Sequence, residues 1–218
     1  MVRKPNRKYY FTVEGETEKW YLARINDLLR AEESAKLHVS IECKVQKSPY
    51  KFAKTVVATS PIEITHWFDY ESSEAVHVKQ FMDTLDQLKQ SSSIQGKQIK
   101  YILGYSNLTF ELWMILHKTN CSYMTHRDQY LTPINRAYDE KFKELDTYKE
   151  EQNFKRVLGK ISLHDVRAAI KRAKAIMNGH VEARITLHRY KGYSYYKDNP
   201  SLTVHESVEK ILKDCGLL

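Results

Sequence analysis

The first part of the chain alternates between apolar segments with strand character and segments with helical periodicity. Lys8 to Val13 is rich in Tyr, Phe, Thr and Val, which favours a β-strand. Apolar positions then recur at helical spacing from Tyr21 to Leu29. Thr17 precedes this run and is predicted to cap the helix, with Glu18 at its positive end. The pattern predicts a strand followed directly by a helix.

The same alternation continues as far as residue 118. Strands that alternate with helices favour a mostly parallel sheet with helices on both faces. The sequence therefore predicts an α/β fold with a mostly parallel four-stranded sheet flanked by helices. After the first pair, the predicted strands cover residues 37–45, 62–68 and 99–103, and the predicted helices cover residues 50–59, 78–88 and 109–118.

The pattern changes after Cys121, where the chain becomes more charged and lacks strong strand signals. We expect residues 1–120 to form the α/β domain and residues 121–218 to form a mainly helical C-terminal extension packed on it. A charged helix is predicted over residues 138–158. Two capping boxes precede later helices, Ser162 with Asp165 before a helix ending at Asn178–Gly179, and Thr203 with Glu206 before one ending near Gly216.

Composition excludes several classes of protein. Hydrophobic residues make up 42% of the 218 residues, which is enough for a real core. The longest apolar run, Leu112 to Leu116, is far shorter than the ~18 residues of a membrane span. The basic N-terminus has no apolar signal region after it, and the 3 cysteines form no CxxC pair. We expect a cytoplasmic protein without a zinc site or a disulfide framework.

The formal net charge of +8 suggests attraction to polyanions such as nucleic acids. A basic balance by itself is weak evidence, since many proteins carry excess charge for solubility. The charge therefore allows a nucleic-acid partner but does not require one.

Acidic and polar side chains follow three of the predicted strands. Ligands of an open parallel sheet bind outside the carboxyl ends of its strands. Grouped carboxylates at that edge suit Mg²⁺ or Mn²⁺, which prefer oxygen ligands. The candidates are Glu14, Glu16 and Glu18 after the first strand, Asp69 and Glu71 after the third, and Ser106, Asn107 and Glu111 after the fourth.

Each of these residues also has a structural interpretation. Glu16 and Glu18 suit the first turn of a helix, and for Glu16 this interpretation is preferred. Asp69 could cap the next helix, although Ser72 and Ser73 could do so instead. Ser106 and Asn107 are common turn residues.

Glu111 is harder to explain as a surface residue, because "FELWMILH" is apolar on every side except at this position. A buried carboxylate needs a partner or loses its charge. A metal ion, an arginine or backbone N–H groups could supply that partner.

Three motifs together resemble the RloB-like family. They are "VEGETE", in which a strand-terminal Glu and a Gly precede Thr-Glu, "SNLTFELWMILH", and "DNPSLTVHESVEKIL" near the C-terminus. The resemblance covers nearly the whole chain. It implies a Toprim-like fold with a helical C-terminal extension, and a role in prokaryotic anti-phage defence beside an ATPase partner.

The resemblance also implies roles for individual residues. Toprim domains use a strand-one Glu and an Asp-x-Asp pair for Mg²⁺-dependent phosphoryl chemistry, which maps onto Glu14, Asp69 and Glu71 as catalytic and metal-binding residues. The second Asp is Glu in "DYE", so either a shifted carboxylate or a degenerate, binding-only site is open. Supporting roles are expected for Glu18, Ser106, Asn107 and Glu111.

The stretch "RITLHRYKGYSYYK", Arg184 to Lys197, is called here the tyrosine segment. Cations can hold phosphates while aromatic rings stack on bases. The candidate nucleic-acid-binding residues are Arg184, Arg189, Lys191, Lys197, Tyr195 and Tyr196. A hairpin whose tyrosines pack inward is a slightly favoured alternative, and one lysine of the segment could instead reach the metal site.

The predicted function is that of a metal-dependent nuclease in cytosolic anti-phage defence, acting on DNA or RNA, with transfer RNA among the candidate substrates. The alternative is a non-catalytic module with a degenerate Toprim site that binds nucleic acid or an ATPase partner. The sequence does not predict an oligomeric state.

Overall fold

A mixed sheet stands at the centre of the molecule. The computed structural model describes residues 4–57 and 60–218. Within these ranges the main sheet has five strands in the order β2-β1-β3-β4-β7, of which the first four are parallel and β7 is antiparallel to β4. Its strands are β1 (Asn6–Val13), β2 (His38–Val45), β3 (Ile62–Tyr70), β4 (Ile99–Asn107) and β7 (Ser201–Leu202).

The prediction of four strands is therefore wrong by one. β7 has only 2 residues, so it is too short to show an alternating pattern. β3 and β4 also extend further than predicted, because their last residues remain in register with each other. Asp69 pairs with Ser106 and Tyr70 with Asn107, so these polar residues belong to strands.

The helices of the first part cover both faces of the sheet. α2 begins at Pro49 after the Ser48 cap and ends at Thr55, and predicted helical residue Thr59 lies outside the described residues. α1 is capped by Gly15, so the predicted cap Thr17 is instead its second residue. These helices are α1 (Glu16–Ala31), α2 (Pro49–Thr55), α3 (Ala75–Ser91) and α4 (Glu111–Leu116).

The C-terminal part contains several short helices in place of the single one predicted over residues 138–158. Asp139 adopts a left-handed conformation with φ of 51°, which ends α5. The elements are the 3₁₀ helix η1 (Arg127–Tyr130), α5 (Leu131–Tyr138), α6 (Leu145–Lys149), α7 (Glu151–Gly159), α8 (Leu163–Glu182) and α9 (Val204–Asp214).

One predicted capping box is confirmed and the other is wrong. The Ser162 hydroxyl accepts from the N–H of Asp165, whose carboxylate accepts from the N–H of Ser162. α8 nevertheless continues through Gly179 to Glu182. Thr203 precedes α9 without capping it, because its hydroxyl accepts a hydrogen bond from the N–H of Tyr105 in β4 instead.

The core lies on both faces of the sheet. On one face, Phe11, Val13 and Trp67 pack with the buried residues of α1, α4, α8 and α9. On the other face, Ile64 and Phe68 pack with α3 and with Tyr195. Full burial of such a side chain contributes about 1.5–3 kcal/mol relative to exposure. Residues after Cys121 therefore pack directly on the sheet.

A small second sheet lies within the tyrosine segment. It is a hairpin of β5 (His188–Tyr190) and β6 (Tyr193–Tyr195). Its two turn residues, Lys191 and Gly192, have φ of 52° and 92°, which is the left-handed backbone that suits a two-residue hairpin turn. The tyrosine segment is thus a hairpin, as the structural alternative predicted.

No helix within residues 4–57 and 60–218 is long and apolar enough to cross a membrane.

Candidate functional site

A pocket of about 310 Å³, here called the acidic pocket, opens at the carboxyl edge of the sheet. Val13 pairs with Trp67 at the end of β1, so Glu14 lies beside the last residues of β3. The convergence predicted for the carboxyl ends of β1 and β3 is therefore present. The pocket is lined by Glu14, Gly15, Glu16, Thr17, Glu18, Trp20, Lys47, Asp69, Glu71, Leu108, Thr109, Arg127 and Lys149.

Glu14 and Asp69 are held in a chain of hydrogen bonds that joins three neighbouring segments. The Oε2 atom of Glu14 accepts from the N–H of Asp69 at 3.2 Å. The Oδ2 atom of Asp69 accepts from the N–H of Phe110 at 3.3 Å, at the start of α4. These bonds fix the Glu14 and Asp69 carboxylates at the floor of the pocket.

Glu18 reaches the same pocket from the first turn of α1. The Thr17 hydroxyl donates to Glu18 Oε2 at 2.8 Å. A Cβ at Gly15 would stand only 3.0 Å from that same oxygen, closer than side-chain contacts normally permit. The glycine of "VEGETE" therefore leaves room for Glu18 to fold back over the pocket.

Glu111 has a definite partner that the sequence did not identify. Its side chain is fully buried, and the Thr109 hydroxyl donates to its Oε2 atom. Its Oε1 atom lies 3.2 Å from Nζ of Lys149 in α6. The partner of the buried carboxylate is thus a lysine with a hydroxyl, rather than the metal, arginine or backbone N–H groups considered from the sequence.

The crowding of carboxylates shifts their protonation. Burial, and then the charges of Glu18 and Glu71, raise the pKa of Glu14 to about 7. The hydrogen bond from the backbone N–H of Asp69 acts in the opposite direction but does not offset them. Burial and the charges of Glu18 and Glu14 raise the pKa of Asp69 well above its ordinary value. Burial raises the pKa of Glu18 as well. The pocket therefore lacks enough positive charge to balance its carboxylates.

Lys149 shows the opposite response to the same environment. Burial by itself would lower the pKa of Lys149. The negative charges of Glu111, Asp69 and Glu18 raise it by more, so the pKa of Lys149 lies above its ordinary value. Its ammonium group is therefore charged at neutral pH. Its charge acts on Glu111, Asp69 and Glu18 together.

Glu71 lies at the mouth of the pocket and is the most exposed of the predicted ligands. Its carboxylate is 3.1 Å from Nε2 of His77. Among residues 4–57 and 60–218, no group of three or more His, Cys, Asp or Glu side chains is arranged so that it could hold a metal ion. The three predicted ligands line one pocket, but Glu14 and Asp69 accept hydrogen bonds from backbone N–H groups and Glu71 pairs with His77.

Ser106 and Asn107 do not line this pocket. Both are fully buried in β4, next to Asp69 and Tyr70 of β3. The Asn107 amide donates to the carbonyl of Lys197 at 2.8 Å, which ties the tyrosine segment to the sheet. The supporting role predicted for them at the acidic pocket is therefore not seen in its lining, and the alternative that they are turn residues is wrong, because both belong to β4.

Glu16 agrees with its structural interpretation. It is an exposed first-turn residue of α1, and its carboxylate pairs with Lys19 at 2.9 Å. It still lies on the rim of the acidic pocket.

Three cations in the pocket lining were not singled out from the sequence. Lys47 follows β2, Arg127 lies in η1 and Lys149 in α6. No local motif marks them, because Lys47 and Lys149 each lie among other lysines and Arg127 is an isolated cation in a polar stretch. The signal that could have found Lys47 is its position after a parallel strand, where ligands gather.

Two tyrosines of the tyrosine segment, Tyr195 and Tyr196, are core residues. Tyr195 is 4% exposed and packs its ring 4.9 Å from that of Phe81. Tyr196 is 5% exposed, and the centre of its ring lies 4.8 Å from that of the His180 ring. The prediction that Tyr195 and Tyr196 stack on bases is therefore wrong for this conformation, because their faces are already covered.

The cations of the segment remain on the surface. Arg184, Arg189, Lys191 and Lys197 are all exposed. Lys191, however, lies 3.3 Å from Asp86 of α3, a carboxylate far away in the sequence. None of the four lines the acidic pocket, and the lysines that do line it are Lys47 and Lys149.

A comparison with family models finds a match to the family described as RloB-like protein over residues 9–211. This range covers nearly the whole chain and includes the acidic pocket. No curated protein and no solved structure matches the chain.

Proposed function

The chain belongs to the RloB-like family, and we propose that it is a Toprim-like, metal-dependent nuclease that hydrolyses phosphodiester bonds of DNA or RNA. The observation that carries the proposal is the excess of negative charge in the acidic pocket. Glu14, Glu18 and Asp69 come from different elements, yet each has a raised pKa because they share one poorly solvated site. A divalent cation would relieve this crowding.

The chemistry of the carboxylate oxygens of Glu14, Asp69 and Glu71 suits Mg²⁺ or Mn²⁺, which prefer oxygen ligands. Glu14, Asp69 and Glu71 would hold the ion, which would polarise the phosphoryl oxygen and lower the pKa of a bound water. Glu71 would have to leave His77 to take part, and its place at the exposed mouth allows that movement.

The chain's own residues would perform the remaining steps. Glu14 would serve either as a ligand of the ion or as the base that accepts a proton from the attacking water. Lys149 is positioned to stabilise negative charge that develops on the phosphate. Glu111, which accepts a hydrogen bond from the Thr109 hydroxyl, pairs with the Lys149 ammonium group and holds it in place.

The biological setting is part of the same proposal. We place the activity in the cytoplasm, in anti-phage defence beside an ATPase partner, with transfer RNA among the substrates to be tested. The support is the family membership together with the net charge of +8, which favours a nucleic-acid substrate.

One observation favours the alternative of a non-catalytic module. Glu14 and Asp69 each accept a backbone hydrogen bond, Glu71 pairs with His77, and no three metal-binding side chains are assembled among the described residues. In that case the protein would bind nucleic acid or an ATPase partner, and the acidic pocket would be a degenerate Toprim site.

The test is incubation of the purified protein with DNA and RNA, including transfer RNA, with Mg²⁺, with Mn²⁺ and with EDTA. Cleavage should require the cation, and Asp69→Asn should lower the rate by roughly 10²-fold or more. Glu63→Gln is the matched control, since Glu63 is a β3 carboxylate outside the pocket that pairs with Lys210 and Lys100. Cleavage that persists in EDTA, or in Asp69→Asn, would reject the proposal.

A further inference from the structure

A second cleft, of about 500 Å³, lies along the outer edge of β4 and is called here the β4 cleft. Consecutive residues from Lys100 to Leu103 form its floor. Its walls are the end of α8, the first turn of α9 and the β6 strand of the hairpin. None of the residues that line it also lines the acidic pocket.

The floor of this cleft is a strand edge with no neighbouring strand. β7 pairs with β4 only at Ser106 and Asn107, and no other described strand lies on that side of β4. Tyr105 directs its N–H and its C=O toward Thr203, at 3.1 and 2.8 Å. Because backbone groups alternate along a strand, those of Leu103 and Tyr101 face the same cleft.

The β4 carbonyl groups that face the cleft accept only long hydrogen bonds from side-chain hydroxyls. The Tyr193 hydroxyl reaches the carbonyl of Tyr101, and the Thr203 hydroxyl reaches that of Leu103, both at 3.4 Å. These distances are beyond the usual range for O–H···O hydrogen bonds. An incoming N–H group could therefore replace either hydroxyl at small cost.

Apolar side chains are exposed along the walls. Val181 is 67% exposed and Leu187 is 41% exposed, and both line the cleft. Met177 and Tyr193 continue the same surface. Apolar residues that cluster around a groove mark a binding surface more often than isolated ones do.

The charge of the cleft favours a cationic ligand group. Glu206, in the first turn of α9, has no lysine, arginine or histidine in an ion pair with it among residues 4–57 and 60–218. Although the residue as a whole is exposed, burial of its carboxylate and then the charge of Glu209 raise its pKa. Lys100, the basic residue of the floor, already pairs with Glu63.

We propose that the β4 cleft binds an extended peptide segment of a partner protein, which adds as a strand to β4 and places a lysine or arginine beside Glu206. Its apolar side chains would lie against Val181 and Leu187. The backbone edge supplies affinity and the side chains supply specificity, as in other cases of strand addition. A nucleic acid fits this surface poorly, because the unpaired charge in it is negative.

The experiment uses the full-length protein labelled with ¹⁵N and a synthetic acetylated peptide, Thr-Val-Lys-Val-Thr-Val amide. Two variants of the peptide serve as controls, one with Glu in place of Lys and one N-methylated at alternate residues. We expect the lysine peptide to shift the amide signals of Tyr101 and Leu103. The methylated peptide should lose this effect, because it cannot donate hydrogen bonds to β4.

Protein variants then test the two walls. Glu206→Gln should reduce the preference for the lysine peptide over the glutamate peptide by about fivefold. Glu209→Gln is the matched control on the same helix, because Glu209 pairs with Lys174 and Lys213 and does not line the cleft. Val181→Asp should abolish binding without changing the circular dichroism, since the side chain is exposed.

The proposal is overturned if no peptide shifts the Tyr101 and Leu103 signals at millimolar concentration. Equal binding of the methylated peptide would also overturn it, because the ligand would then not be a strand. A single-stranded oligonucleotide that shifts these signals when the peptides do not would assign the cleft to nucleic acid instead.

Discussion

The acidic pocket and the tyrosine segment both have the composition of a binding site, but the carboxylates line an open pocket whereas two of the tyrosines are buried in the core. In the pocket, carboxylates from separate elements are brought together, and the pKa of Glu14 is raised to about 7. In the segment, Tyr195 and Tyr196 are packed into the core. Apolar rings gain free energy from burial, whereas crowded charges lose it. Crowded polar groups are therefore the stronger indication of function.

The largest effect is expected in the tyrosine segment. Tyr195→Ala should lower the free energy of unfolding by about 3–5 kcal/mol, because it removes the ring that packs on Phe81 and leaves a cavity. Urea denaturation followed by circular dichroism measures this change. Tyr123→Ala is the control, since Tyr123 is 63% exposed and its loss should have little effect. A folded Tyr195→Ala protein of unchanged stability that binds nucleic acid weakly would restore the stacking role.

The acidic pocket should destabilise the protein as pH rises. The unfolded Glu14 carboxyl ionises near pH 4.5, whereas the folded one keeps its proton up to about pH 7. The folded state therefore binds more protons between these values, and the contribution of Glu14 to stability is lost as pH rises from 4.5 to about 7. The loss should amount to about 2–3 kcal/mol, and Glu14→Gln should remove this dependence.

Denaturation curves of the wild type and Glu14→Gln across this pH range measure the difference. Mg²⁺ should then raise the melting temperature more at about pH 8 than at about pH 5, because protons compete with the cation. If stability falls with pH equally in the wild type and in Glu14→Gln, the pKa of Glu14 is not raised in the folded protein. The contrast between the acidic pocket and the tyrosine segment would then disappear.

Glu111 tests whether a carboxylate at the edge of the pocket is structural. Glu111→Ala should lower stability by roughly 1–3 kcal/mol, because the hydrogen bond from Thr109 and the ion pair with Lys149 are lost in a buried site. Glu151→Ala is the control, since Glu151 pairs with Lys155 on the surface, where such pairs contribute little. Lost activity with an unchanged melting temperature would assign Glu111 to the metal site instead.

The smallest expected effect concerns the exposed cations of the tyrosine segment. If Arg184 and Arg189 contact phosphates, replacing both by Ala should flatten the log–log salt dependence of binding by about 1.4 on single strands, since each contact contributes about 0.7. Lys191→Ala should change the slope less, because Asp86 already pairs with Lys191. Fluorescence anisotropy at several salt concentrations provides the slopes. An unchanged slope in the double variant would remove nucleic acid from the role of this segment.

Much of the fold could be predicted from local patterns. The four parallel strands follow from apolar runs and alternation, and the Ser162–Asp165 box marks the start of α8 because both partners lie within one turn. The positions of Glu14 and Asp69 at one edge follow from the rule for parallel strands. These features depend on residues close in sequence or on a general property of sheets.

Tertiary structure decided which of the candidate side chains share a site and which are buried. Lys149 pairs with Glu111, which lies 38 residues away in the sequence. The Thr203 hydroxyl accepts a hydrogen bond from Tyr105 of β4 and so does not cap α9. The tyrosines have the same local pattern whether they face solvent or Phe81, so only the packing of the hairpin on α3 settles their role. The sequence by itself determined the four parallel strands, the helices between them and the acidic edge, because these follow from local patterns and from the common direction of parallel strands. The partner of each buried charge and the covered faces of the rings depend on long-range contacts, which no local pattern records.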